Sequence, residues 1–308
     1  MLEQVDVLDK GFVRLVDMMG SDEAIVQAAR VSYGKGTKKV SEDEGLIRYL
    51  LRHSHTTPFE MVQFKFHIKL PIFVVRQWHR HRMWSYNEYS GRYSEMKDEF
   101  YVPQDQHFTK QNPTNKQGGT DEAIPTAGKL SWSELFAEQQ QKSRQDYENF
   151  LTTGVRRELA RVNLPLAQYT EMYASVDLHN LFHFLRLRLD SHAQYEIRVY
   201  AEAISRLIAP RVPIAYRAFE DYVLGSVKFS AKELKILRQL IGHASDIKTQ
   251  GSAAINAYLY QIAEENFSNK RERSEAIAKI LPLLEERGDL PLNTNQEESL
   301  GENGSAAI

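Results

Sequence analysis

Cysteine is absent from all 308 residues of this chain. This absence excludes disulfides, thiolate zinc sites, cysteine-held iron–sulfur clusters and cysteine nucleophiles, so any chemistry must use other groups. No apolar run of roughly 18 residues occurs, so we expect no membrane-spanning helix. The opening residues MLEQVDVLDKGF place acidic side chains where a signal peptide needs an apolar run, and we therefore expect a cytoplasmic protein.

An excess of charge of either sign is also missing, since 39 Lys and Arg residues face 41 Asp and Glu residues. With no strong overall field, we expect neither nucleic acid nor a membrane surface as a partner. The segment GKGTKK at 34–39 is not a GxGxxG sequence, and neither GxxxxGK[ST] nor HExxH occurs. Dinucleotide-binding, P-loop and zinc-protease functions therefore have no motif to support them.

Histidine pairs are the remaining metal candidates: His53 with His55, His79 with His81, and His179 with His183. The last pair has the i, i+4 spacing that suits zinc on a helix. No acidic third ligand accompanies it in a known pattern, so we expect no metal site.

Periodicity predicts a mixed α+β fold, with antiparallel strands and a majority of helix. Polar and apolar residues alternate from Gln63 to Leu70, which is typical of a half-exposed antiparallel strand, and 168–176 also suits a strand. Helices are predicted over 44–52, from Pro71 through Arg82, from a capping box at Ser131 to about Leu151, and around 155–162. Further helices are predicted from Leu178, where Asp177 is the expected N-cap, from Ser191 to Pro210, and three times within 231–285. The polar, glycine- and proline-containing stretch from Pro103 to Lys129 is interpreted as a mobile surface loop.

The helix that begins at Leu178 carries an arginine on its apolar stripe. Leu178, Leu181, Leu185 and Arg188 fall at i, i+3, i+7 and i+10. An unpaired buried charge costs several kcal/mol, so Arg188 needs a partner, either an internal carboxylate or an anionic or polar ligand in a pocket. His179, His183 and Arg186 form a separate polar stripe, which is either a solvated face or a second ligand surface.

Glu158 and Arg161 are three residues apart on the preceding helix. In isolation this spacing predicts a surface salt pair of little energetic value.

The segment RHRMWSYNEYSGR, from Arg80 to Arg92, combines groups that suit a phosphorylated, ring-bearing ligand. Arg80, His81 and Arg82 bring dense positive charge and planar hydrogen-bond forks, and Gln77 would share a helix face with Arg80 or His81. Ser90, Gly91 and Arg92 add a hydroxyl, a closely approachable backbone and another guanidinium. Glu88 lies between the two basic groups, where it accepts hydrogen bonds from a sugar or fixes the arginines. A solvated basic loop or an RNA-contacting loop is the alternative interpretation.

This segment matches, without gap or substitution, the RHRxxSxNExSxR signature, and the chain therefore resembles the flavin-dependent thymidylate synthases. The resemblance covers about residues 1–230 and includes HSHTTPFE, RRELARVNLPL and LRLRLDSHAQYEIR. It implies the α+β fold of that family, assembled as a homotetramer with active sites shared between subunits. It also implies conversion of dUMP to dTMP, with methylenetetrahydrofolate as carbon donor, FAD as hydride relay and NADPH as reductant. The absence of cysteine independently excludes the thymidylate synthases that use a cysteine nucleophile.

The resemblance also assigns residues. The dUMP contacts that it implies are Gln77, Arg80, Glu88, Ser90, Gly91, Arg92, Arg161 and Arg188, with Ser90, Gly91, Arg92 and Arg161 at the phosphate and Arg188 stabilising the ionised N3 of uracil. The FAD contacts are Thr57, Arg80, His81, Arg82, Glu88, Asp177, His179 and His183. His55 matches a position near the uracil and the folate entrance. Positions 177 and 183 are asparagine in some relatives, so Asp177 and His179 are the weaker flavin candidates, and Ser90 is assigned to binding rather than nucleophilic attack.

The sequence and the resemblance together predict three regions in the chain. We expect a catalytic domain over 1–230 with a surface-loop insertion at 104–128, a helical extension over 231–286, and a disordered tail over 287–308, whose composition is too poor in apolar residues to fold. Two other functions compete with the enzyme: a nucleic-acid-binding protein that uses the basic, aromatic segment, and a non-catalytic homologue.

Overall fold

A computed structural model describes residues 3–31, 43–113, 118–126, 128–242 and 252–284. The chain divides into two compact units, Met1–Tyr222 and Val223–Ile308. The predicted tail over 287–308 lies outside the described residues. No helix within the described ranges is long and apolar enough to cross a membrane.

The first unit is built on a five-stranded antiparallel sheet with strand order β1-β2-β3-β7-β4. These strands are β1 Gln4–Val7, β2 Gly11–Met19, β3 Gln63–Pro71, β4 Ser85–Glu88 and β7 Tyr169–Asp177. The alternation that predicted β3 is confirmed, because Phe64, Phe66, Ile68 and Leu70 are buried on one face. The partners of β3 are β2 and β7, so it lies in the middle of the sheet.

The helices of this unit are α1 Asp22–Arg30, α2 Asp43–Arg52, α3 Ile72–Trp78, α4 Trp132–Thr152, α5 Arg157–Ala160, α6 Leu178–Arg188, α7 Tyr195–Ile208 and α8 Pro213–Phe219. Short 3-10 helices occupy Thr57–Met61, Asp105–His107 and Arg161–Asn163, and a π-helical turn spans Glu220–Leu224. The capping box at Ser131 is present at the start of α4, and Asp177 caps α6, as predicted.

Three local predictions differ from the structure. The helix predicted from Pro71 through Arg82 ends early, at Trp78. Helix α7 begins at Tyr195 rather than Ser191, because Asp190 first holds a turn by accepting hydrogen bonds from the backbone N–H of His192 and Ala193 at 2.8 and 2.9 Å. Within the stretch read as a loop, two short strands pair as a hairpin, β5 Thr109–Gln111 and β6 Gly119–Ala123. Local cross-strand hydrogen bonds order this polar segment without a hydrophobic face.

Aromatic side chains join the sheet to the helices that follow it. The Trp78 ring at the end of α3 lies 4.6 Å from the Phe184 ring of α6 and 6.2 Å from the Tyr200 ring of α7. The Tyr200 hydroxyl donates a 2.7 Å hydrogen bond to the Lys69 carbonyl of β3. This core fixes the end of α3 and the body of α6, the two elements that flank the site described below.

The second unit contains the helices Ala231–Gly242, Ser252–Asn266 and Lys270–Leu284, in agreement with the three helices predicted there. They share a core formed by Ile236, Leu240, Leu259, Ile262, Ala263, Phe267, Ala276, Ile277 and Ile280. Buried Glu233 is neutralised by Lys279, whose Nζ lies 2.7 Å from its carboxylate.

Candidate functional site

The chain leaves its helix before it reaches the predicted basic cluster. Helix α3 ends at Trp78, so the prediction that Gln77 shares a helix face with Arg80 or His81 is wrong. The backbone N–H groups of Arg80 and His81 instead donate to carbonyls three residues earlier, at 3.3 and 2.9 Å. This tighter turn buries His81 and leaves Arg80 and Arg82 exposed on either side of it.

Arg188 meets this turn from α6. Leu178, Leu181 and Leu185 are fully buried, which confirms the apolar stripe that leads to it. Its Nε donates to Nε2 of His81 at 3.1 Å, and its Nη2 donates to the Gln77 carbonyl at 3.1 Å. No carboxylate among the described residues lies within ion-pair distance of it, so the internal ion pair proposed as one alternative is not found.

Burial shapes the electrostatics of this pair. It lowers the pKa of Arg188, whose guanidinium nonetheless stays charged because its ordinary pKa lies far above neutral pH. Burial first, and then the charges of Arg188 and His183, lower the pKa of His81 to about 4. His81 is therefore neutral near pH 7. Because its Nε2 accepts from Arg188, its own proton resides on Nδ1.

A cavity of about 410 Å³ lies against this turn. Its lining comes from the turn and from α6: Arg80, His81, Arg82, Met83, Trp84, Asn180 and His183. Within the described parts of the chain, neither Arg80 nor Arg82 is ion-paired, so both guanidinium forks remain available to a ligand. Sequence reasoning missed Met83 and Asn180, although Asn180 is three residues from His183 on the same helix.

A larger cavity, of about 1090 Å³, has Arg188 in its lining. Gln77 and Arg188 line it together with the hairpin β5–β6 and the start of α7. The Gln77 amide Nε2 donates to Oε1 of Gln194, whose own Nε2 donates to Glu196 at 2.8 Å. Since Arg188 lines this cavity and its partner His81 lines the first, the two cavities adjoin at the Arg188–His81 pair.

The predicted phosphate ligands come together around a buried glycine. A methyl group added at Gly91 would lie 3.0 Å from Cδ of Arg161 and 2.6 Å from Sδ of Met96. The absence of a side chain at Gly91 therefore allows the Ser90–Arg92 turn to contact Arg161. The Ser90 hydroxyl accepts from the Arg92 backbone N–H at 3.4 Å, which leaves its own proton free to be donated.

Glu158 belongs to this cluster, but it does not pair with Arg161 as predicted. Its carboxylate lies 3.4 Å from Nε of Arg92 and 3.0 Å from Nε of Arg156. Arg161 has no ion-pair partner in the described ranges, so its charge is not already neutralised. The arrangement holds Arg92 beside an unpaired, half-buried guanidinium, which suits a doubly charged phosphate.

Glu88 ends the edge strand β4, between the two basic groups. Its Oε1 accepts a 3.0 Å hydrogen bond from the Thr170 hydroxyl on β7. No arginine or lysine of the described chain lies within ion-pair distance of it, so it does not fix the arginines in this structure. Sequence reasoning did not identify Thr170, because the contact spans 82 residues.

The other predicted flavin contacts lie at the start of α6 and on a neighbouring turn. Both oxygens of Asp177 are used by Asn180, with its backbone N–H at 2.9 Å and its side-chain Nδ2 at 2.7 Å. His179 is half-buried and His183 exposed, and the His183 ring lies 5.9 Å from that of His81. Thr57 is exposed at the start of the Thr57–Met61 turn, which packs against α6.

His55 is exposed, with its ring 5.8 Å from that of Tyr49 and 6.4 Å from that of His53. Neither His55 nor Thr57 hydrogen-bonds another predicted site residue in the part of the chain that the structure describes. The same ranges contain no group of three or more histidine, aspartate or glutamate side chains that could hold a metal ion.

The donor set fits an FAD-like ligand. The guanidinium forks of Arg80 and Arg82, which have no ion-pair partner in the described ranges, suit a diphosphate. The Trp84 indole with the His81 and His183 imidazoles supplies flat surfaces and polar edges for a ring system. The Gly91 turn with Arg161 separately suits a monophosphate. In the sequence, Glu88 lies between these two groups of cations.

Known proteins share this sequence and fold. The family model described as "Thymidylate synthase complementing protein" matches residues 14–214. A flavin-dependent thymidylate synthase of Wolbachia pipientis wMel is 55% identical over 239 residues, which are 78% of this chain and 84% of the relative. That of Ruegeria pomeroyi is 53% identical over 255 residues, 82% and 83% of the two chains.

Among solved structures, a UMP/dUMP methylase PolB from Streptomyces cacaoi, bound with 5-Br dUMP, aligns with a TM-score of 0.63 and 33% identity. The alignment covers 71% of this chain and 98% of that one. The α+β fold expected from the signature is thereby confirmed. With a family match across most of the first unit and relatives more than 50% identical over most of their length, the chain belongs to the flavin-dependent thymidylate synthases.

Proposed function

We propose that the two cavities joined at Arg188 and His81 are the active site in which this protein converts dUMP to dTMP. The reaction is supported by membership of the family, with methylenetetrahydrofolate as carbon donor, FAD as hydride relay and NADPH as reductant. The observation that supports this placement is the half-buried Arg188 guanidinium, which has no carboxylate partner among the described residues and lines the larger cavity.

We assign the nucleotide phosphate to the Gly91 cluster. The Ser90 hydroxyl, the backbone at Gly91 and the guanidinium groups of Arg92 and Arg161 would hold it, because they bring several hydrogen-bond donors to one place. The charge of Arg92 is shared with Glu158, whereas Arg161 has no ion-pair partner among the described residues. Gln77, Arg80 and Glu88 complete the proposed dUMP contacts. The chain has no cysteine, so no cysteine nucleophile can act there, and we assign the Ser90 hydroxyl to binding.

Arg188 is the proposed catalytic group. A guanidinium removed from water stabilises a nearby anion far better than one in bulk solvent, so it would stabilise the uracil ring ionised at N3. That ionisation raises the electron density at C5, the carbon that attacks the donor. Neutral His81 and the Gln77 carbonyl each accept one hydrogen bond from Arg188, which holds its fork in place without neutralising its charge.

Arg80, Arg82, His81 and His183 would hold FAD against the smaller cavity, with Glu88, Thr57, Asp177 and His179 as further proposed contacts. When bound, FAD supplies hydride chemistry. Asp177 is already occupied by Asn180, so we propose that it acts by orienting the start of α6 rather than through a free carboxylate. His55 is retained as a proposed contact near the folate entrance.

We also propose a homotetramer with shared active sites, a cytoplasmic location, and the division into a catalytic region over 1–230 and a helical extension over 231–286. Sedimentation tests the homotetramer, and cell fractionation tests the cytoplasmic location. Deletion of residues 231–308 tests the division into regions, because the shortened protein should still bind FAD and turn over dUMP.

Purified protein tests the activity itself. After FAD is added and the unbound FAD is removed, we expect flavin absorbance to stay with the protein. We also expect release of tritium from 5-labelled dUMP when FAD, NADPH and methylenetetrahydrofolate are all present. Absence of flavin binding would contradict the enzyme assignment. Flavin binding without tritium release would indicate a non-catalytic homologue.

A further inference from the structure

Thr170 carries a buried hydroxyl, and its one side-chain partner among the described residues, Glu88, belongs to the proposed site. The residue is only 3% exposed, on the face of β7 that it shares with Met172. Glu88 pairs directly with Met172 across the β4–β7 ladder, so Thr170 is its diagonal neighbour on the same face. This register allows the hydroxyl to donate to Oε1 of Glu88 at 3.0 Å.

The backbone at Glu88 is fixed independently of this contact. The pairing of β4 with β7 continues to Glu88, and the Tyr89 N–H donates to the Glu171 carbonyl at 2.8 Å. The Glu88 side chain, by contrast, is exposed and has no cation within ion-pair distance among the described residues. Its flexible torsions are therefore restrained by the Thr170 hydrogen bond, which leaves Oε2 free to accept from a ligand.

We propose that Thr170 is a positioning residue for dUMP binding, acting through the Glu88 carboxylate. The inference rests on the proposed function, because it takes Glu88 as a dUMP contact. A carboxylate that is already ordered binds without the entropic cost of immobilising a glutamate side chain. Thr170 therefore contributes to nucleotide affinity although it does not touch the nucleotide.

The variant Thr170→Val tests this with little effect on the fold. Valine keeps the β-branched shape that suits a strand, and exposed Glu88 is hydrated by water once the hydroxyl is lost. We expect unchanged thermal stability and FAD binding, but a Kd for dUMP raised about two- to tenfold, measured by titration calorimetry on FAD-saturated protein. Thr170→Ser keeps the hydroxyl and should restore the affinity.

A double-mutant cycle separates this role from a general packing effect. In a Glu88→Ala background, Thr170→Val should weaken dUMP binding no further, because the acceptor is gone. Ser205→Ala is the matched control, since it removes another buried hydroxyl. Ser205 lies on α7, and its hydroxyl is hydrogen-bonded to that of Tyr216 on α8. This control variant should leave the dUMP affinity unchanged.

Two results would overturn the inference while leaving the proposed function intact: wild-type dUMP affinity in Thr170→Val, or equal weakening with and without Glu88. If Thr170→Val does not fold, Thr170→Ala replaces it in the same cycle, with Thr170→Ser as its rescue. A wild-type protein that binds no dUMP would contradict the proposed function, and it would contradict the proposed role of Thr170 as well.

Discussion

Nε of Arg188 donates a 3.1 Å hydrogen bond to Nε2 of His81, so a permanent cation is held by a neutral histidine rather than by a carboxylate. A carboxylate in that place would cancel the charge that a developing anion needs. Neutral imidazole fixes the direction of the guanidinium and leaves its charge uncompensated. The low pKa of His81, about 4, follows from the same burial and the same neighbour, and it keeps the acceptor unprotonated near pH 7.

Replacement of Arg188 by alanine should abolish most dTMP formation while FAD stays bound. Removing one charge-stabilising donor from an enzyme site typically costs about a hundred- to a thousandfold in turnover. Tritium release and flavin absorbance, measured on the same preparation, check the two halves of this expectation. Arg206→Ala is the control, because Arg206 is an exposed arginine on α7. Turnover close to wild type in Arg188→Ala would make Arg188 a structural residue only.

The free energy of unfolding should decrease as the pH is lowered from 6.5 to about 4, because His81 stays unprotonated in the folded chain over most of this range. Its pKa is lowered from 6.5 to about 4 in the folded state, so below pH 6.5 the unfolded chain binds a proton that the folded chain does not. Unfolding becomes easier by at most about 3 kcal/mol between pH 6.5 and 4, at about 1.4 kcal/mol per pH unit. Burial also lowers the pKa of His183, which adds a slope of the same sign.

Urea unfolding at several pH values, compared between wild type and His81→Asn, isolates the contribution of His81. The variant should lose stability less steeply as the pH falls, and the residual slope should include that of His183. Parallel curves for the two proteins would show that His81 does not titrate as the structure implies.

Periodicity and capping predicted the elements that carry local signals. Strand β3, the capping box of α4 and the apolar stripe of α6 each repeat or begin in a way that a short segment reveals. Strand β4 lacks such a signal, because Ser85–Glu88 is an edge strand defined by its backbone pairing with β7. Strand β2 was missed as well, since half-buried Phe12 and Val16 blur the alternation of Gly11, Val13 and Leu15.

The site residues were named from the family resemblance, but their partners were not. Glu158 pairs with Arg92 rather than with the nearby Arg161, and Arg188 meets a histidine rather than an acid. Both contacts join segments more than 60 residues apart, where sequence spacing carries no information about distance. The hairpin was missed for a different reason, because its polar composition is the same as that of an irregular loop.

Arg92→Ala should weaken dUMP binding about ten- to a hundredfold, the range expected for losing a hydrogen bond to a charged group. The sharper comparison uses deoxyuridine, which lacks the phosphate and should bind wild type and variant equally. Arg156→Ala is the matched control, since Arg156 contacts the same Glu158 at 3.0 Å but is not a proposed phosphate ligand. Equal loss of affinity for dUMP and deoxyuridine would remove Arg92 from the phosphate site.

Gly91→Ala should weaken dUMP binding about tenfold or more and lower stability by about 1–3 kcal/mol, because the new methyl group would lie 3.0 Å from Cδ of Arg161 and 2.6 Å from Sδ of Met96. The flexible Met96 side chain can rotate away from the new methyl group, whereas Arg161 would have to move from the proposed phosphate position. Gly45→Ala is the control, since a methyl group on this α2 residue meets nothing within 4 Å and should stabilise the helix by about 0.5–1 kcal/mol without changing dUMP affinity. Calorimetric titration measures the dUMP affinity of both variants, and urea unfolding measures their stability. Wild-type dUMP affinity in Gly91→Ala would contradict the assignment of Arg161 to the phosphate site.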